Sequence, residues 1–299
     1  MTDDASMTGD DGRTGTTDDG DDDGTGTTVC LTFDFDAVSG WLHKGRDTPT
    51  NRTRGRFGAE VATPRLLALV EEYEIPTTWF VPGHTADSYP ERVAAIHDAG
   101  HELGHHGWSH VPPNEYESRE AERADIERGR DSLEAVTGEN PTGYRSPSWD
   151  YSPHTVELLA ELGFEWSSSG MAREYELAPV RRDDAPPDGA YAVGDAVTTA
   201  DGDPLVEVPV DWQRDDFPAL SFTGDRGFAD EGAVFDDWRR SFDYCVRTGG
   251  DAFVLTCHPQ VIGKGHRIDR LRELIETMRN RQGVEFATVG DTVASWRGR

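Results

Sequence analysis

Five polar residues stand where a buried strand or its end should be apolar. Asp34 and Asp36 close the run VCLTFDFD, His106 and His110 lie in GHHGWSH, and His258 follows AFVLTC. Two carboxylates at i and i+2 on a strand point to the same side. An unpaired buried charge is costly, so the pair needs a cation or hydrogen-bond donors. A turn or cap role is the plainer alternative, weakened by the flanking Phe33 and Phe35 and by the absence of a helix start at that point. Imidazoles four residues apart can converge on one ion, and two of them with one carboxylate make a facial set with open positions. HxxxH alone is equally compatible with two surface histidines; beside an Asp pair, the metal reading is the better one. His258 precedes Pro259, which ends its strand, and can act as a general acid near neutral pH. Arg145, at the end of GYR, can hold a carboxylate with a bidentate fork. His101 and His105 point elsewhere by alternation and suit local structure.

These groups must be brought together by elements far apart in the chain. Val29 begins the first buried strand, and strand signals recur at 76–81, 101–105, 143–146, 164–168, 205–210, 252–257 and 284–289. Helical spacing fills 63–73, 90–99, 118–136, 153–162, 235–248 and 266–280, with Asp291 expected to cap a last helix. Residues 173–204 carry turn chemistry and read as an irregular excursion. Strands alternating with helices imply one α/β domain with a parallel sheet, open or closed into a barrel. In such folds, sites form outside the carboxyl ends of the strands. TFDFD, GHHGWSH, GYRSPSW and TCHPQ all fall at such ends.

Residues 1–28 are Asp, Gly and Thr with little to bury and should be a disordered acidic tail, leaving 29–299 as the catalytic domain. The formal net charge is -28. That argues against nucleic-acid and anionic-membrane partners and suits a solvated coat in a high-salt, halophilic cytoplasm. Cys30, Cys245 and Cys257 form no CxxC spacing, which speaks against a disulfide framework and a cysteine zinc site. No apolar run approaches the ~20 residues of a membrane span. The N-terminus lacks the pattern of a secretory signal, so a cytoplasmic location is expected.

In this order, the four segments resemble the polysaccharide deacetylase (NodB-homology) family over about Val29 to Trp296. The resemblance implies a distorted (β/α) barrel and a divalent metal, zinc being expected. It implies Asp36, His106 and His110 as ligands, Asp34 as base, Arg145 as the group orienting Asp34, and His258 as acid. DFDAVSGW, TRGRFG, FVPGHTAD and HPQVIG are similar to a branch that includes allantoinase-like and cyclic-imide-hydrolysing proteins and proteins named peptidoglycan deacetylases. Arg56 departs from that branch, where Glu is common, and puts specificity in question. The branch also implies a homo-oligomer.

The expected activity is hydrolysis of a non-peptide C–N bond. The substrate expected is a small cyclic amide, imide or ureide, with an N-acetylated amino-sugar polymer as the alternative and a non-catalytic carbohydrate-binding protein as a third reading. Phe80, Ser146, Pro147, Trp149 and Trp212 are candidates to line the substrate pocket, although the aromatic residues suit a core equally well.

Overall fold

The computed structural model describes residues 26–184, 192–222 and 227–299. Its strands are β1 Thr27–Asp34, β2 Thr78–Val81, β3 Glu102–His105, β4 Gly143–Tyr144, β5 Trp166–Ser167, β6 Ala178–Pro179, β7 Arg181–Asp184, β8 Ala192–Ala196, β9 Val206–Glu207, β10 Ala252–Cys257 and β11 Val284–Phe286. One curled mixed sheet runs β10-β1-β2-β3-β4-β5-β9-β6, with β11 pairing the first residues of β1. All its ladders are parallel except β6 with β9. With the helices that connect these strands, it forms a half-barrel of the (β/α) type.

β1 and β10 are buried along their whole lengths, as expected for central parallel strands covered on both faces. Helices obey their end signals. Ser118 caps Arg119–Thr137 by accepting from Ala121 N–H, and that helix stops at Gly138. Asp230 caps Glu231–Thr248 in the same way. The largest core unites Phe33, Phe35, Trp79, Phe242 and Phe253 with the helices 63–72, 231–248 and 265–279.

The register does the positioning. Phe33 pairs with Cys257, Asp34 with Phe80, Val81 with His105, and His105 with Tyr144. Asp34, His106, Arg145 and His258 therefore emerge side by side at one end of neighbouring strands, which run ~4.8 Å apart.

Several expectations are corrected. β1 starts at Thr27, two residues before Val29; residues 1–25 lie outside the described part. The stretch 173–204 carries β6, β7 and β8, the last two paired antiparallel. Helices Ser39–Leu42, Pro49–Phe57 and Gly83–Ser88 and the π-helical turn Gly58–Ala62 went unread, because short polar helices give weak periodicity. Thr288, not Asp291, caps the last helix: its side chain accepts from Asp291 N–H at 3.0 Å.

β4 passes under the indole of Trp166, where a side chain at position 143 would overlap the ring. Gly143→Ala should lower stability by about 2–3 kcal/mol through overpacking, measured as a shift in the urea midpoint at unchanged slope.

Candidate active site

Three groups meet at the strand ends. Asp36 Oδ1 lies 3.4 Å from His110 Nε2 and 3.6 Å from His106 Nε2, and all three residues are buried. These separations are long for good hydrogen bonds. They match ligands sharing one ion, because tetrahedral bonds of ~2.0–2.1 Å place neighbouring donors about 3.3 Å apart. Asp36 Oδ1 and His110 Nδ1 have no hydrogen-bond partner although they are shielded from water. His106 Nδ1 stands 2.7 Å from the Arg145 carbonyl, which can only accept, so the proton sits on Nδ1 and the Nε2 lone pair faces Asp36. The donor set fits a divalent cation. Burial would raise the Asp36 carboxyl, but His110, His258 and His106 outweigh it and hold it well below the usual carboxylate range. Burial brings His106 down to about 4, leaving its ring neutral.

The loop bearing His110 is tied down. Trp108 N–H, Ser109 N–H and the Ser109 hydroxyl all donate to the Asp125 carboxylate, at 2.7, 3.2 and 2.6 Å. His110 has a φ of 58°, in the left-handed region.

Asp34 takes a different partner. Arg145 Nη1 donates to Asp34 Oδ1 at 2.7 Å, with the arginine fully buried. The expected bidentate fork is absent: Nη1 also reaches Thr32 Oγ1, while Nε and Nη2 donate to the carbonyl and hydroxyl of Ser168. Asp34 Oδ2 is left facing the site, 3.8 Å from His106 Nε2.

His258 is held by two aspartates. Its Nδ1 lies 2.8 Å from Asp216 Oδ1 and 3.3 Å from Asp215 Oδ1, and its backbone N–H donates to Asp216. Its Nε2 lies 3.7 Å from Asp36 Oδ2. Burial alone would lower this imidazole, but Asp215 and Asp216 reverse the effect and push it well above its ordinary value. Asp215, Asp216 and His258 form a second cluster of potential ligand atoms, and the short His258–Asp216 bond marks it as an ion-pair arrangement.

The pocket over these groups has a volume of about 310 Å³. Asp34, Asp36, His106, His110 and His258 all line it, together with Trp149 and Trp212. Phe80, Ser146 and Pro147 do not line it. Phe80 is fully buried with the Arg145 guanidinium 3.9 Å from its ring centre, and the Ser146 hydroxyl is bonded to the Asp150 carbonyl. His105 keeps to local structure, its ring bonded to the Ile126 carbonyl and Gly107 N–H. Arg56 lies outside the pocket wall.

The polysaccharide deacetylase family pattern matches residues 21–167. A peptidoglycan deacetylase of Helicobacter pylori is 33% identical over 276 residues, 88% of this chain and 94% of the relative. The chain belongs to the polysaccharide deacetylase family. A polysaccharide deacetylase candidate from Mycobacterium smegmatis, 33% identical, superposes with a TM-score of 0.80 over 93% of this chain and 92% of the other. The Puue allantoinase has the same fold, with a TM-score of 0.72 at 20% identity over 91% and 90% of the two chains. Polysaccharide deacetylases are hydrolases of non-peptide C–N bonds and use a divalent metal.

Beyond the family motifs, sequence reasoning missed Asp215 and Asp216, the pocket residues Trp41, Lys44, Phe217 and Gln260, and the anchor Asp125. The available signal for the aspartates was DD before Phe-Pro, a doublet easily lost among 57 acidic residues. Asp36→Ala and His106→Ala should each weaken divalent-metal binding at least about a hundredfold, with the fold kept; calorimetric titration of metal-free protein and circular dichroism check both parts.

Proposed function

We propose that this polysaccharide deacetylase hydrolyses a C–N bond of a small cyclic amide, imide or ureide, within a catalytic unit spanning residues 29–299. The observation that carries this reading is the pocket: about 310 Å³, walled by Trp41, Trp149 and Trp212, it has room for one ring-sized molecule. N-deacetylation of an amino-sugar polymer is the second reading, favoured by the name of the 33% identical Helicobacter relative.

Asp36, His106 and His110 would hold the ion, for which the nitrogen-rich donor set suits zinc. A bound divalent ion supplies Lewis acidity that polarises the scissile carbonyl and acidifies water. Asp34 takes the proton of the attacking water through Oδ2, while Arg145 fixes the carboxylate through Oδ1. As the C–N bond breaks, its electron pair goes to nitrogen, and His258 delivers the proton that makes nitrogen a viable leaving group. Asp215 and Asp216 keep His258 charged for that task. Trp149 and Trp212 flank the ring. The acidic surface suits a high-salt cytoplasm, and a homo-oligomer is the assembly the branch resemblance supports.

Turnover of hydantoin, succinimide and allantoin, set against N-acetylglucosamine oligomers with zinc-loaded protein, tests the substrate class. Activity on the oligomers alone decides for the second reading. Asp34→Asn should reduce kcat by at least about a thousandfold while zinc affinity, read by calorimetry, stays within about threefold.

The pH profile carries its own sign. His258 acts while protonated, so activity is retained below its raised pKa and lost as pH rises through it; the alkaline limb of kcat/KM should lie above the ordinary imidazole value of 6.5. Asp216→Asn removes one of the two charges that raise it and should move that limb down by about one pH unit or more.

A further inference from the structure

Glu207 interrupts the apolar run LVEVPV, yet no step of the reaction described above uses it. It stands half-buried opposite Ser167 in the ladder between β5 and β9. β5 is only two residues long, so the N–H groups of Ser169 and Gly170 lie beyond its ladders. Both donate to Glu207 Oε1, at 2.7 and 2.8 Å. A carboxylate here takes the place of a strand partner. Gly170 makes the approach possible, since a Cβ at that position would stand 3.2 Å from the carboxylate carbon.

What this carboxylate holds is the seat of Arg145. The Ser168 carbonyl accepts from Arg145 Nε at 3.0 Å, and its hydroxyl accepts from Nη2 at 2.9 Å. Ser169 Oγ accepts from the N–H of Ser146, the residue next to the arginine, at 2.8 Å. Ser168 and Ser169 are buried, so water cannot replace these bonds if the segment shifts. Glu207 Oε2 serves a separate partner, accepting from the Tyr151 hydroxyl at 2.8 Å. The two oxygens can therefore be tested one at a time.

We infer that Glu207 is a positioning residue for the base: by fixing the segment Ser168–Gly170 it sets the Arg145 guanidinium, and through it the Asp34 oxygen left free to take a proton. The inference rests on the assignment of Asp34 as base. A guanidinium is a rigid planar fork, so a displacement of Ser168 turns all its donors together. Nη1, which holds Asp34 Oδ1 at 2.7 Å, moves with the rest. A reacting group misplaced by about 1 Å can cost on the order of a hundredfold in rate. Asp36 and His110 make no contact with Ser168, and His106 meets Arg145 only at its backbone carbonyl. The effect of losing Glu207 thus falls on turnover rather than on the ion.

The test reads Arg145 directly, by NMR exchange of its Nε–H with water in zinc-loaded full-length protein, the signal being assigned by its loss in Arg145→Lys. Glu207→Ala should speed that exchange by about tenfold or more while the amides of β1 and β10 keep their protection. Glu207→Gln keeps an oxygen for the two N–H groups and should restore exchange to within about threefold of wild type. Tyr151→Phe, which frees only Oε2, should leave it within about twofold. If Glu207→Ala does not fold, Glu207→Asp, which withdraws the carboxylate by one methylene, should act in the same direction. Kinetics use whichever of hydantoin, succinimide, allantoin and N-acetylglucosamine oligomers wild type cleaves. There Glu207→Ala should lower kcat by about tenfold or more, with KM within about threefold, and should cost less than about twofold further in an Asp34→Asn background. Unchanged Arg145 exchange, equal loosening by Tyr151→Phe, or a full additional loss in Asp34→Asn overturns the role of Glu207. Undiminished kcat in Asp34→Asn alone overturns the base assignment, and this inference with it, even where the exchange behaves as expected.

Discussion

The site depends on how three carboxylates are accommodated out of water. Asp34, Asp36 and Asp216 are each at most 4% exposed, and a buried ion without compensation costs several kcal/mol. Each has a separate solution. Asp34 has a guanidinium that is itself anchored by donating to Thr32, Ser168 and Asp34. Asp216 has the His258 ring and its backbone N–H. Asp36 has only the edges of three imidazoles, none within a good hydrogen-bond distance, and one oxygen without a partner. The compensation runs short at the position where a cation would complete it.

That arrangement explains what surrounds it. Phe80 faces the Arg145 guanidinium because a satisfied buried cation still needs a polarisable neighbour where no further donor points. Strain gathers at the same place: of the five non-glycine residues with positive φ among the described residues, Ala37, His110, Ser148 and Trp149 border the pocket or its ligands. Each such residue costs about 1–3 kcal/mol. The parallel ladders and the fully buried β1 and β10 supply a frame rigid enough to hold them.

The parts legible in the sequence were those that break a local rule. An aspartate in VCLTFDFD or a histidine after AFVLTC contradicts its apolar surroundings, and the contradiction marks the site. Helix ends at Ser118 and Gly138 were equally readable, since capping is a matter of neighbouring residues. What stayed hidden needed long-range packing. Asp216 meets His258 across 42 residues, and in an acidic chain another Asp-Asp pair carries no contrast. Gln260 sat inside a recognised motif, yet nothing in TCHPQ tells that Gly58, 202 positions earlier, closes on it. Phe80 read as a substrate aromatic because a strand pattern cannot tell a pocket wall from the floor beneath an arginine.

The same residue type is driven in opposite directions within one pocket. His106 and His258 are both buried, and burial pushes both imidazoles toward neutrality. The difference is what Nδ1 meets. For His106 it is a peptide carbonyl at 2.7 Å, a dipole that fixes the tautomer but is too weak to keep a charge, and the ring falls to about 4. For His258 it is a pair of carboxylates at 2.8 and 3.3 Å, strong enough to overturn the burial penalty and retain the proton. A neutral ring with a free lone pair can bind a cation; a charged ring can give up a proton. The chain obtains both states from histidine by choosing the second partner, so the division between a neutral and a charged ring is written in Arg145 O, Asp215 and Asp216 rather than in the histidines.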